Sequence, residues 1–307
     1  MSAASGSPGA GAQEPDTLTI AAFVIGTGLA GGNAVGIAIM GQELDPFWGA
    51  SLRFGSAGLI FAALMLVRRV PFPRGRAFVG AAVYGLLAFG AAFGLAFVAI
   101  PMTGAGAGQV VLGLIPLLTL VLVQVHGIEP FQLRAVIGST VALAGVGILA
   151  ADRIALDVPL QGIAIAVVAA VLLAEAGVVA KMTPRADPIA TNAVGMLSGL
   201  VLLIPISIVA GERWVLPEQS DTWAALAYLV LAGSVVVFGL FIFVVRRWTA
   251  SAVSFQFLLI PLATIPISAA LTHEVITPQM LVGGAVVLVG VYLGVFAPSP
   301  RRRPASA

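Results

Sequence analysis

Glu175, in the run VLLAEAGVVAK, and Arg53, in SLRFGSAG, are charged side chains set inside long apolar stretches. A charge in hydrocarbon costs about 2.5–3.5 kcal/mol on insertion scales, so each must face a cavity, find a partner or neutralise. A carboxylate that changes protonation with its surroundings suits proton-coupled movement of a solute. A guanidinium can hold a carboxylate through two parallel hydrogen bonds. The plainer readings stay open beside these. Glu175 can belong to a buried ion pair or a helix-packing hydrogen bond, with Lys181 about 9 Å away along the axis, and Arg53 can snorkel to the headgroups or fix a helix end. Their opposite signs also make them candidate partners for each other.

Three neutral amides extend the set. Asn33 sits mid-helix beside Gly28, Gly32 and Gly36, a small-residue stripe that lets another helix approach, so it contacts either that neighbour or a cargo. Gln109 and Gln256 lie on two related segments, with Ser251 and Ser254 near the second, and suit a polar, uncharged or zwitterionic small molecule. Phe93, Phe97, Trp223, Tyr228 and Phe257 read as packing or interface anchors. His126 and His273 fall in connecting segments rather than in a catalytic or metal set, and no H-E-x-x-H, paired aspartates, G-x-S-x-G or cysteine is present. No metal, cofactor or enzymatic activity is expected.

The elements that position these residues follow from composition. Of 307 residues 60% are hydrophobic and 9% charged, with a mean hydropathy of +1.09, whereas soluble domains carry about 25% charged residues. The chain therefore reads as an all-α integral membrane protein. With about 20 apolar residues needed per crossing, ten spans emerge: Leu18–Met40, Trp48–Val67, Phe78–Val98, Ala105–Val125, Arg134–Ala151, Leu160–Lys181, Ile189–Ala210, Thr222–Val245, Ala250–Leu271 and Gln279–Phe296. Residues 1–17 read as a disordered tail. Cations decide orientation: with both termini cytoplasmic, Arg68, Arg69, Arg74, Arg76, Arg134, Lys181, Arg185, Arg246, Arg247 and Arg301 to Arg303 lie inside, and only Arg153 and Arg213 outside. The short basic tail at 298–307 fits anchoring at anionic lipid rather than nucleic-acid binding.

The phrase LIPLLT, Leu114 to Thr119, returns as LIPLAT, Leu259 to Thr264, and the same shift carries Glu129 onto Glu274, Gly138 onto Gly283, and Gly145-Val146 onto Gly290-Val291. Scarce residue types holding register over two helices and a loop mark an internal repeat, here 18–151 and 152–297. Five helices per repeat is an odd number, so the second copy enters the membrane from the other side. Such inverted repeats characterise secondary transporters. Pro116 and Pro261 free the carbonyls of Leu112 and Phe257 near mid-span, which makes each proline a hinge or gate candidate or else a packing kink. Glu129 and Glu274 sit at helix ends, where a carboxylate caps or anchors a loop.

This pattern resembles the EamA family of the drug/metabolite transporter superfamily. The resemblance rests on Pro116, Glu129, Gly138, Gly145 and Val146, their counterparts Pro261, Glu274, Gly283, Gly290 and Val291, and on Gly32-Asn33, Pro46 and Arg53-Phe54. It departs where GLAGGNAVGIA lacks a tryptophan and a lysine common in the family, and where Glu175 stands at a usually small position. The resemblance implies ten helices in inverted repeats and movement of small metabolites, often amino acids, driven by an ion or substrate gradient. The expectation is a carrier in the cytoplasmic membrane working by alternating access, with export as its direction and Glu175, Asn33, Gln109, Gln256 and Arg53 as substrate or coupling residues. A non-transporting scaffold or sensor, or an intramembrane enzyme, are the alternatives.

Overall fold

The computed structural model describes residues 15–151, 159–184, 186–272 and 278–296, and within these all side chains but those of 104–110, 149–150, 265, 268–272 and 280. Every regular element among them is helical: α1 (Thr17–Ala30), α2 (Asn33–Met40), α3 (Pro46–Val67), α4 (Arg76–Gly85), α5 (Phe93–Leu112), α6 (Ile115–Val125), α7 (Leu133–Ala150), α8 (Leu160–Met182), α9 (Pro188–Val209), α10 (Ser220–Val230), α11 (Val237–Arg247), α12 (Ala250–Ser254), α13 (Gln256–Thr272) and α14 (Pro278–Val291). Six spans are long and apolar enough to cross a membrane: Thr17–Met40, Pro46–Val67, Arg76–Thr103, Leu160–Met182, Pro188–Val209 and Ser220–Arg247. Ile115–Val125, Leu133–Ile148, Ala250–Thr264 and Leu281–Phe296 are shorter apolar helices. The protein is a multi-pass membrane protein.

Three spans expected to be continuous are interrupted. The first breaks at Gly31 and Gly32, between α1 and α2. A Cβ on Gly31 would lie 2.9 Å from the Ala263 backbone, and one on Gly32 2.5 Å from the Tyr228 hydroxyl, so only glycine admits these neighbours. The break frees carbonyls that hydrocarbon would not solvate. Tyr228 donates to Leu29 O (2.5 Å) and Thr264 to Gly31 O (2.9 Å). The second break is at Gly113 and Leu114, just before Pro116, which occupies the first turn of α6, where a missing amide proton costs nothing. The third is at Phe255, between α12 and α13. Pro116 therefore starts a helix rather than kinking one, whereas Pro261 and Pro266 lie inside α13.

Of the three π-helical segments among the described residues, Leu86–Ala92 and Leu231–Val236 bridge α4 to α5 and α10 to α11, and Tyr292–Phe296 follows α14. The shift that carries Pro116 onto Pro261 superimposes the first two, so the repeat extends to an irregularity that its side chains do not advertise. π-segments widen the helix by bonding each amide to the carbonyl five residues back, and they frequently sit at functional positions.

Repeat-equivalent helices pack on each other. α7 lies against α14, and α3 against α9. At the α7–α14 crossing a Cβ on Gly290 would come within 2.6 Å of Gly138 O, and one on Gly145 within 2.6 Å of Val287 N. The duplicated glycines are thus the surface on which the two copies meet, as in small-residue membrane crossings. Likewise α8 packs on α5 as α1 packs on α11, each copy's opening helix held by the other copy. The core between them is aromatic, with Phe54 and Phe89 fully buried and Phe238 against both.

Candidate functional site

Between the two copies lies a cavity of about 480 Å³, counting its open side, lined from the first copy by Ala30, Asn33, Tyr84 and Phe93 and from the second by residues of α8, α11 and α13. A narrower cleft shares Leu173, Gly177, Phe241 and Phe257 with it and reaches Thr119 and Ser254. The helix breaks deliver the polar lining. Asn33 is the first residue of α2 after the glycine pair, and Gln256 opens α13 after Phe255. Discontinuous helices presenting polar groups at the interface of two repeats are how carriers build substrate sites. The rest is apolar and largely aromatic, with Tyr84, Phe93, Phe238, Phe241 and Phe257 beside small and aliphatic residues. The Tyr84 hydroxyl is buried without a partner.

Arg53 lies behind this lining. It is 0% exposed, so the snorkelling alternative does not hold. Nε donates to Ser234 Oγ (2.9 Å), and Nη2 donates to Gly233 O (3.0 Å) and Asn33 Oδ1 (3.3 Å). Its Cζ stands 4.9 Å from the Phe54 ring centroid and 5.4 Å from that of Phe93. Gly233 and Ser234 belong to the second π-segment, which aims a carbonyl and a hydroxyl across at α3. The first π-segment instead packs on glycine: Cβ atoms on Gly195 and Gly199 of α9 would touch Phe89. The repeat is symmetric in backbone and asymmetric in chemistry, polar at one π-segment and apolar at the other.

Glu175 and Arg53 are not brought together. Glu175 Oε1 lies 3.2 Å from Nε2 of His126, the C-cap of α6, while its Oε2 is buried without a partner. His126 Nδ1 is 2.9 Å from Leu122 O. A carbonyl only accepts, so a hydrogen bond here is donated by Nδ1, which leaves Nε2 facing Oε1. Lys181 donates to the Val245 carbonyl (2.9 Å) and to that of Trp248, closing the end of α11. Glu129 is structural: its carboxylate accepts from Ala250 N (2.6 Å) and from Ser251 Oγ (2.5 Å), capping α12. The side chain of Gln109, on α5, and the whole of Glu274 lie outside the described residues.

Asn33 and Gln256 therefore share a cavity, and Arg53 backs it. Both prolines, Pro116 and Pro261, are buried, Pro261 one residue after Ile260 of this lining and Pro116 one residue after Ile115 of the narrower cleft. Sequence reasoning missed His126, Ser234 and the aromatic set Tyr84, Phe238 and Phe241. Nothing local marks them, since aromatic and hydroxyl residues are common in spans and the His126–Glu175 pairing links two separate helices. Among the described residues no cluster of histidine and acids could hold a metal.

The comparisons with known proteins agree with this geometry. A sequence model of the EamA-like transporter family matches residues 17–151 and 160–296. The chain is 27% identical over 210 residues to "Uncharacterized inner membrane transporter YedA" of Escherichia coli, covering 67% of each chain. It is 25% identical over 261 residues to an "Uncharacterized transporter" of Archaeoglobus fulgidus, covering 81% of this chain and 88% of that one. A solved crystal structure at 18% identity superimposes with a TM-score of 0.75 over 91% of this chain and 98% of the other, which shows a shared fold. With both copies matched and their interface holding a lined cavity, the chain belongs to the EamA-like transporter family.

Proposed function

We propose that the protein is a secondary carrier that moves a small polar metabolite out of the cell by alternating access. In this reading ten helices form two inverted five-helix repeats with both termini in the cytoplasm, the four shorter apolar helices crossing as two broken and two short spans. The observation that carries it is the cavity at the interface of the copies, where Asn33 and Gln256 enter from helices interrupted on either side. Two similar halves that grip each other through repeated glycines can rock, opening the cavity to one face and then the other. Pro116, just after one of the breaks, and Pro261, inside α13, are the proposed hinges.

Proton coupling is assigned to Glu175 with His126. The pair holds one mobile proton at the contact, and the unpartnered Oε2 gives the carboxylate a second site at which to receive one. A carboxylate paired in one conformation and open in another binds and releases a proton as the halves rock.

The test is solute exchange in proteoliposomes with a broad metabolite panel read by mass spectrometry, with and without a pH gradient, beside extracellular metabolites of cells with and without the protein. A solute that exchanges, accumulates outside cells and responds to the gradient is the expected result. Glu175→Gln should keep exchange and lose the gradient response. If no solute exchanges although the protein is folded and inserted, the carrier reading is wrong.

A further inference from the structure

We infer that the cavity receives a small organic monocarboxylate with an apolar, ring-bearing body, its carboxylate at the Asn33–Arg53 end and its body among the aromatic side chains. The inference rests on the carrier reading and names the class of cargo.

A guanidinium offers five N–H donors in a fixed fork. Those on Nε and Nη2 meet Ser234, Gly233 and Asn33, but Nη1 is buried with no partner. No carboxylate among the described residues lies within ion-pair distance of Arg53, and the ring faces of Phe54 and Phe93 supply attraction without a counter-charge. A fully buried charge lacking its opposite is an expensive arrangement, normally relieved by an anion. Among the described residues nothing supplies that anion, and a bound cargo would.

Asn33 shows where it would arrive. Arginine has donors only, so the Asn33 side-chain oxygen must turn toward it, and the two N–H groups of Nδ2 turn away. Among the described residues no group accepts from Nδ2, and Asn33 lines the cavity. An anion in the cavity therefore meets an N–H donor with a cation directly behind it. A neutral amide at the same place would gain the donor and little from the charge, and a cation would be repelled. Charge-assisted hydrogen bonds of this kind are about twice as strong as neutral ones.

The remaining lining selects the body. Tyr84, Phe93, Phe238, Phe241 and Phe257 present ring surfaces, and Phe93 touches both the guanidinium and the cavity. The described lining contains no carboxylate to pair with an ammonium group. An amino acid is thereby the weaker fit and a carboxylate on an aromatic or branched apolar frame the better one.

The test is equilibrium binding of radiolabelled benzoate and phenylacetate to the purified full chain in lipid nanodiscs, against benzamide and benzylamine. Saturable carboxylate binding, tighter than that of either analogue by about 10-fold or more, is expected. Asn33→Asp hands Arg53 the carboxylate it lacks, so it should keep or raise the unfolding temperature while weakening benzoate binding by about 10-fold or more. Arg53→Gln should lose binding as well. Benzamide or benzylamine binding as tightly as the carboxylates, no carboxylate binding, or Asn33→Asp binding benzoate like the parent would each overturn the inference. Exchange of a broad panel in proteoliposomes from the same preparation separates the two failures. Exchange of non-carboxylates alone leaves the carrier and removes this cargo, whereas no exchange at all removes both.

Discussion

Gly233 of the second copy faces the side-chain oxygen of Asn33 in the first, with no room for even a methyl group. A Cβ there would overlap Asn33 Oδ1 and come within 3.4 Å of Arg53 Nη2. The π-segment that carries Gly233 thus makes the contact between Asn33 and Arg53 possible. Gly233→Ala should push the amide away from the guanidinium and slow solute exchange by about 10-fold or more, equivalent to about 1.4 kcal/mol. Overpacking should also cost about 1–3 kcal/mol of stability. Gly28, with nothing within 4 Å of its Cβ position, provides the control, and Gly28→Ala should leave both exchange and thermal unfolding near the parent.

How much of this was legible in the sequence depends on whether a signal is local. Span positions and the repeat could be read because hydrophobicity and scarce residues carry them, and Gly138, Gly145 and Gly290 do lie at the crossing of the two copies. Asn33 and Gln256 were picked out as polar letters in apolar runs, and they line one cavity. The π-segments could not be read, because an extra residue per turn is decided by tertiary packing and has no residue-type signature. Arg53 was ambiguous for a related reason. Its depth along α3 is readable, but its enclosure by Ser234 and Gly233 depends on a helix far away in the chain.

The α7–α14 crossing predicts a stability effect unconnected with any substrate. At Gly290 the neighbouring atoms are backbone and the Cβ of Ala142, none of which can rotate aside. Gly290→Ala should therefore separate the helices and lower stability by about 1–3 kcal/mol in detergent. Gly147→Ala, on the same pair but with open space at its Cβ, should be neutral or slightly stabilising, since alanine favours helix by about 1 kcal/mol over glycine. Equal losses in the two variants' unfolding temperatures would argue against this packing.

Glu129 ties the loop between α6 and α7 to the start of α12 through two amides and a hydroxyl. Glu129→Ala leaves buried donors unsatisfied and should destabilise by about 1–3 kcal/mol. Glu129→Gln, which keeps one acceptor oxygen, should cost less. The ordering of the three unfolding temperatures is the measurement, and a glutamine variant no better than alanine would mean that charge rather than acceptor geometry matters here.

Glu43, between α2 and α3, gives a pH dependence away from the site. A hydrogen bond from the Thr222 side chain, helped by the Glu218 amide, holds its carboxyl below the usual range. A depressed folded value means that the contribution is fully present above the unfolded value of about 4.3. It fades as pH falls below that and is gone once pH has passed the folded value. Glu43→Gln should therefore unfold at a lower temperature than the parent at about pH 7, with the gap closing under acid. A gap independent of pH would show that the carboxylate charge contributes nothing.

His126 and Glu175 give the sharpest test of coupling. With Nδ1 donating to Leu122 O, the proposed relay places one proton between Nε2 and Oε1, which stand 3.2 Å apart. Replacing either residue by glutamine removes that shared site, so each single variant should lose gradient-driven accumulation while retaining exchange at equal pH. The double variant should be no worse than either single one, a coupling energy of about 0.5–3 kcal/mol in a double-mutant cycle. Additive losses would make the contact incidental and leave Glu175 acting through its free Oε2 alone. Unchanged gradient response in all three would confine the pair to fastening the end of α6 onto α8.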